Sequence, residues 1–457
     1  MADTHLTKTF ASAGNRKTFT FSVWLKQGFA LTSGNSVIFS AGSASNTYCQ
    51  IRMKNPNNYI QFEDEQGGSV TATPYTDAFF RDPSAWNHLV VRVDSTQSTA
   101  ADRVRMYMNG TQLTMSGGTQ PSQNQDFVIN NNTGHALGTL WRGSDSGGHW
   151  NGHMAQAIFC DGQSLAPTSF GSTNSDGVWI PNASPSVTYG TNGFKIDFKG
   201  TGASADTSGF GADSSGNNNH FATVNIGTNP SSKDSPENNF ATWNPNIAFR
   251  TASFASSAAG SITDAGLKAV GGGGANSIAF ASTIAVNSGK WYAEFKAAAT
   301  DYTQFGVGDA GTWTNTYGIG GASKAQIYGA NVIGWDRTIY YINSTSSTSG
   351  GTTFSDGDIC QIAIDADTRK VWFGVNGTYN SSGNPAGGSN EIGTVTGTGP
   401  LVFLCRPEST NVLANFGNSP FTISSTNADA NGYGNFEYAV PSGYYALCTK
   451  NLAQYGG

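Results

Sequence analysis

Apolar and polar residues alternate strictly through Phe19–Lys26. Phe19, Phe21, Val23 and Leu25 take one side, and Thr20, Ser22, Trp24 and Lys26 the other. A repeat of two is the period of a β-strand, whose successive side chains leave opposite faces, so the segment predicts a half-buried strand. Lys290–Lys296 alternates likewise, and Leu89–Asp94, Val104–Asn109, Met154–Cys160 and Phe194–Phe198 read as further strands. Cys360, Ile362 and Ile364 line one face of a further strand ending at Asp365, and Val371, Phe373 and Val375 line the next. Two of these strands run into Asn109-Gly110 and Asn376-Gly377. Asn-Gly accepts the positive φ angles of a two-residue hairpin, so the chain should reverse at both. VRMYMNG (Val104–Gly110) and VWFGVNG (Val371–Gly377) are two uses of one hairpin logic, a domain length apart. No window carries a helical period long enough for a stable helix. The fold class expected is all-β: two tandem antiparallel sandwiches with very little helix.

Composition narrows the function classes. Only 12% of the 457 residues are charged and 58 are Gly, which argues against a helical bundle or coiled coil. The 27 Phe, 17 Tyr and 10 Trp supply a core, which excludes a disordered chain. A net charge of -6 excludes nucleic acid as the expected partner. Cys49, Cys160, Cys360, Cys405 and Cys448 are far apart, form no CxxC and read as small core residues. No apolar run reaches signal-peptide or membrane-spanning length, so the expectation is synthesis in a cytosol without membrane insertion. Residues 1–200 read as the first sandwich and 249–457 as the second, with a C-terminal extension. The Gly/Ser/Asn/Asp-rich stretch 201–248 reads as a polar linker packed on the sandwiches through Phe221, Phe240 and Trp243. The first ~18 residues read as the only segment outside the two sandwiches that could serve as an anchor.

SGKWYAEF (Ser288–Phe295), FGVGD (Phe305–Asp309), IGWD (Ile333–Asp336), FSDGDICQIAIDADTRKVWFGVNG (Phe354–Gly377) and LANFGNSPF (Leu413–Phe421) resemble a SPRY (B30.2-like) domain. That resemblance implies a bent two-sheet sandwich whose loops bind protein partners. FTFSVWLK, AWNHLVVRVD, DRVRMYMNG and YGTNGFKIDF resemble a laminin G/concanavalin A-like jelly roll. DPSAWNHLVVRVDSTQSTAADRVRMYMNG, DGQSLAPTSFG, GVWIP, DSSGNNNH, DSPENNFATWNP and PSGYYALCTKNL are further similar to phrases of bacteriophage virion proteins, in which such a jelly roll precedes a SPRY-like domain.

Concanavalin-like folds also host glycan hydrolases, which need two carboxylates on one face. Glu63-Asp64-Glu65 comes nearest, but successive residues point to opposite faces and a charged hairpin edge accounts for them. Asp365 and Asp367 read as turn residues. His149 and His153 are four apart among glycines that exclude a helix, and on a strand they sit too far apart for one zinc ion. The laminin G resemblance implies calcium at a loop edge, for which Asp145 is the candidate; no other cofactor is expected. Trp141, Asp145, His149 and Trp150, in one Gly-rich loop, are candidates for sugar binding, against a plain role for the two Trp in capping the jelly-roll edge. Trp313, Tyr317, Tyr328 and Arg337 are candidates for a partner surface in the second sandwich, with Trp335 placed in its core.

Together these features lead to the expectation of a non-enzymatic virion protein, a tail-fibre or appendage component attaching to host-surface glycan or protein and contacting other virion proteins. A capsid decoration, cement or head-fibre protein is the alternative, followed by a glycan-active enzyme or an intracellular SPRY adaptor. Closed cyclic assembly is usual for fibres, so a homotrimer is expected.

Overall fold

The computed structural model describes residues 4–456, apart from 29–33, 56–57, 81, 176, 227–230, 250–259, 273–278, 298–302, 312–326, 328–329, 337–338, 344, 350–351 and 408–409. It divides into two compact units, Met1–Ser231 and Ser232–Gly457. Among the described residues the one α-helix is Thr449–Tyr455, and no helix is long and apolar enough to cross a membrane.

The first unit packs a nine-stranded sheet on a six-stranded one. The nine-stranded sheet runs, in spatial order, Met115–Gly117, Tyr75–Thr76, Tyr59–Gln66, Thr47–Lys54, Asn35–Ala44, Gly134–Leu137, His5–Thr9 and Ala222–Val224, with Ser69–Ala72 paired alongside Tyr59–Gln66. The six-stranded sheet runs Thr111–Gln112, Val104–Met108, Asn87–Asp94, Thr18–Gln27, Gly152–Asp161 and Phe194–Ile196. Phe19, Phe21, Phe39, Phe62, Phe127, Phe159 and Phe194 fill the space between them. Here the aromatic content becomes core.

In the second unit a seven-stranded sheet and a nine-stranded sheet enclose Trp243, Trp291, Phe295, Phe305, Trp335, Phe373, Phe403 and Phe416. Lys290–Ala297, Ile359–Asp365 and Lys370–Val375 are adjacent antiparallel strands of the larger sheet. Asn109 and Gly110 (φ 49° and 81°) and Asn376 and Gly377 (47° and 86°) adopt the left-handed turn the hairpins require. Only residues that tolerate positive φ fit there. All five cysteines are buried and free.

Three expectations are corrected. Thr18–Gln27 is buried on both faces, because Leu165, Phe170, Val187 and Tyr189 close a second apolar cluster over the back of the six-stranded sheet. There the His88 ring lies between Trp24 and Trp179, with centroids 4.8 and 6.0 Å away. The N-terminal segment does not lie outside the sandwich: His5–Thr9 pairs with both Gly134–Leu137 and Ala222–Val224, and Leu6 enters the core. Alternation over five residues is too short to reveal a strand whose partners lie more than 120 residues away. The polar stretch 201–248 is divided between the units, with Phe221 in the first core and Trp243 in the second.

Much of the small acidic complement serves as buried clamps. Asp64 accepts from Val128 N, Thr71 Oγ1 and Gln66 Nε2 at 2.7–3.0 Å. Asp429 accepts from the amides of Asn431, Tyr433 and Ala446 and from Asn451 Nδ2, all at 2.7–2.9 Å. A carboxylate offers enough lone pairs to satisfy several loop amides at once.

Candidate functional site

The site is built on the outer face of the nine-stranded sheet. Cys49, Ile51 and Phe62 point into the core, so Tyr48, Gln50, Arg52, Gln61, Glu63 and Glu65 point outward. Strand register continues these rows across the sheet as Glu65, Tyr48, Gly42, Gly134 and Thr9, and as Glu63, Gln50, Ser40, Ala136 and Thr7. The middle of each row is therefore small. The loop 138–151 is seated on that tract. Ser40 Oγ donates to Thr139 O (2.7 Å), Trp141 N donates to Ser40 Oγ (2.9 Å), and Gly143 N donates to Gly42 O (3.2 Å).

A side chain at Gly42 would meet the Trp141 carbonyl, and one at Gly134 would meet its indole. Gly134→Val is therefore expected to lift the loop, costing ~1–3 kcal/mol as an overpacking defect. A thermal melt combined with acrylamide quenching of tryptophan fluorescence checks this; unchanged quenching would show that the loop does not need its glycine seat.

Trp141 is half-buried over Gly134, with its ring 6.5 Å from that of His5. The Arg142 guanidinium lies 3.9 Å over the Tyr48 ring. Trp150 is half-buried and packs against the main core. The loop aromatics thus lie on a sheet face, packed on one side. Asp145 is exposed; its Oδ1 accepts from Thr139 Oγ1 (2.5 Å) and Gly147 N (3.0 Å), while Oδ2 faces His149 Nε2 at 3.0 Å. Partial burial alone would raise the Asp145 pKa, but the Thr139, Gly147 and His149 contacts outweigh it and hold the carboxyl near about 2. His149 is not joined by His153, which lies in the strand Gly152–Asp161 with its ring 6.1 Å from Trp86. Its neighbour is His5, which sequence spacing did not single out; the ring centroids are 6.0 Å apart. Trp313, Tyr317, Tyr328 and Arg337 lie outside the described residues.

The acid cluster is not a charged hairpin edge. Glu63 is only 8% exposed, and Asp64 points the opposite way, into the core. The Tyr48 hydroxyl lies 2.7 Å from Glu63 Oε1 and 2.8 Å from Glu65 Oε2. Arg52 is ion-paired to Glu63, and Gln50 Nε2 donates to it at 3.3 Å. One Tyr48 hydroxyl touches both carboxyls and so occupies the space between them, where the pair of a retaining hydrolase would flank the reacting sugar carbon. Burial, reinforced by both glutamates, pushes the Tyr48 phenol well above its ordinary range and keeps it protonated. This is a closed structural network.

Ser22 and His88 are likewise in contact, at 2.8 Å. Trp179 Nε1–H donates to His88 Nδ1 (3.0 Å), so the ring proton sits on Nε2 and is donated to Ser22. A donor nitrogen cannot remove the serine proton, and the pair is buried.

Residues 2–161 match the family model described as the concanavalin A-like lectin/glucanases superfamily. The matched part of the first unit is accordingly a concanavalin A-like, laminin G-type jelly-roll domain. No curated protein matches the chain. Among solved structures, the SPRY domain of human HERC1 is 15% identical over 38% of this chain and 96% of its own, with a TM-score of 0.26. A heptameric SAP-like pentraxin from Limulus polyphemus is 12% identical over 40% and 86%, with a TM-score of 0.28. Domain 4 of AbnA, a GH43 extracellular arabinanase from Geobacillus stearothermophilus in complex with arabinotriose, is 17% identical over 34% and 65%, with a TM-score of 0.26.

Proposed function

We propose that the chain is a non-enzymatic bacteriophage virion protein, a tail-fibre or appendage component that attaches to host-surface glycan or protein as a homotrimer. The observation that supports this most is the use made of the virion-like phrases. They are fold-defining clasps. In DSSGNNNH, Asp213 accepts from Lys195 N, Ser215 N and Asn219 N at 2.8 Å. In DSPENNF, Asn239 N donates to Thr449 Oγ1 (3.0 Å) and Asn238 Oδ1 accepts from Lys450 N (3.2 Å), which ties this phrase to the CTKNL ending. The tied-up Glu63–Tyr48–Glu65 network supports binding over hydrolysis.

The experiment is mass spectrometry and cryo-EM of purified virions from the source lysate, together with a binding and turnover assay on host-surface polysaccharide. The expected result is the protein on a tail appendage, in threes, with saturable binding and no turnover. Density on the head would favour the decoration reading, and hydrolysis would overturn the non-enzymatic one. Absence from virions would overturn the proposal itself. A mass of one chain by light scattering would count against the trimer.

A further inference from the structure

We propose that His5, Asp145 and His149 form a site for a divalent transition-metal ion of the zinc class. One ligand atom from each side chain lies within 4.8 Å of the other two. Zinc with bonds of about 2.0–2.1 Å holds tetrahedral ligands roughly 3.4 Å apart. Asp145 Oδ2 and His149 Nε2, at 3.0 Å, lie within about 0.4 Å of that spacing, and the His5 ligand atom lies within 4.8 Å of both.

The donor set decides the metal. Calcium takes six to eight oxygens, whereas two of these three donors are imidazole nitrogens. The calcium expected at Asp145 from the laminin G resemblance therefore does not fit. Two imidazoles and one carboxylate suit zinc and its neighbours, and three protein ligands leave a fourth position for water or an incoming ligand. The surroundings support the assignment. His5 is only 4% exposed and fixed on a strand paired on both sides, while on the loop Asp145 is exposed and His149 half-buried, which provides a path for the ion. Thr139 and Gly147 hold Asp145 Oδ1 and so aim Oδ2 into the cluster. Such outer contacts orient a ligating carboxylate. On binding, the hydrogen between His149 Nε2 and Asp145 Oδ2 leaves to solvent and the ion takes its place. The ion would then fasten the loop to the first strand of the sheet. This inference does not depend on the virion reading.

The test is titration of the full-length chain, without a polyhistidine tag, with Zn²⁺ alone by calorimetry, and with Co²⁺ by visible absorption. One tightly held ion per chain is expected, with a tetrahedral Co²⁺ spectrum. His5→Ala and His149→Ala should each weaken zinc by about 100-fold or more, and Asp145→Asn by about 10–100-fold. Thermal melts of the metal-free variants control for folding. If His5→Ala fails to fold, the two loop variants decide, since their side chains are accessible. No stoichiometric zinc uptake would overturn the proposal. So would parental affinity in His149→Ala, which would move any binding to other histidines. Calcium bound in preference to zinc would also overturn it.

Discussion

Between pH 7 and pH 4.5 the first unit is expected to lose on the order of 5 kcal/mol of stability. Two histidines cause it. Burial pushes His88 down to about 3 and His135 down to about 4. Each ring accepts a hydrogen bond at one nitrogen, which only the neutral imidazole can do, although the Thr133 carbonyl at His135 favours the charged form. His88 accepts from Trp179 at Nδ1, while His135 accepts from Asn130 N at Nε2 (3.0 Å) and directs Nδ1 to Thr133 O (2.9 Å). In the unfolded chain each histidine protonates near its ordinary value of about 6.5. Below that pH the unfolded state binds more protons than the folded one, so stability falls as pH falls, by up to about 1.4 kcal/mol per pH unit for each ring. All six histidines precede residue 221, so the effect belongs to the first unit. The second unit carries an opposite contribution. Burial raises the Glu294 carboxyl, and the stability linked to a raised carboxyl is present at low pH and lost as pH rises through its folded value. Calorimetric melts from pH 7 to 4.5 check the prediction. A His88→Gln variant should be weaker at pH 7 but lose about half the pH slope. A first-unit midpoint that does not move over this range would show that neither ring is kept neutral.

Phe373→Ala is expected to cost ~3–5 kcal/mol in the second unit and lower its midpoint by roughly 10 °C. Phe373 is fully buried on Lys370–Val375, with its ring stacked on Trp335 at 5.3 Å and on Tyr340 at 5.9 Å. Removing it leaves a cavity between two large rigid rings. Tyr340 cannot move in to fill that space without breaking its bond to Asn380 Nδ2 (2.5 Å). Because neighbours cannot collapse, the loss should fall in the upper part of the range. Differential scanning calorimetry of the variant reads it. A shift of only a degree or two would mean that the strand's inward face is not the centre of this core.

Legibility in the sequence followed the range of the interactions. Phe373, Val371 and Val375 were readable as inward because side-chain direction on a strand is fixed by neighbours one and two residues away. Asn109-Gly110 and Asn376-Gly377 were readable as turns because positive φ is a property of the residues themselves. Burial of the five cysteines followed from their apolar surroundings in the chain. The second buried face of Thr18–Gln27 was not readable, because the residues that cover it, Leu165 to Tyr189, lie far downstream in the chain.

The site divides in the same way. Asp145 stood out through the laminin G resemblance, as a carboxylate at a loop edge, and His149 through its place with Trp141 and Trp150 in one Gly-rich loop. His5 did not, because nothing in HLTKT distinguishes a histidine on an exposed strand from one facing a ligand. The order of the strands sets it beside residue 138, and a seat of Gly42, Ser40, Gly134 and Ala136 lets the loop approach closely enough to meet it. The sequence by itself determined strand periodicity, turn positions and the all-β class, since each is set by local backbone geometry. Only the tertiary structure decided which outward side chains share a place on the sheet, because that depends on pairing between segments more than 100 residues apart.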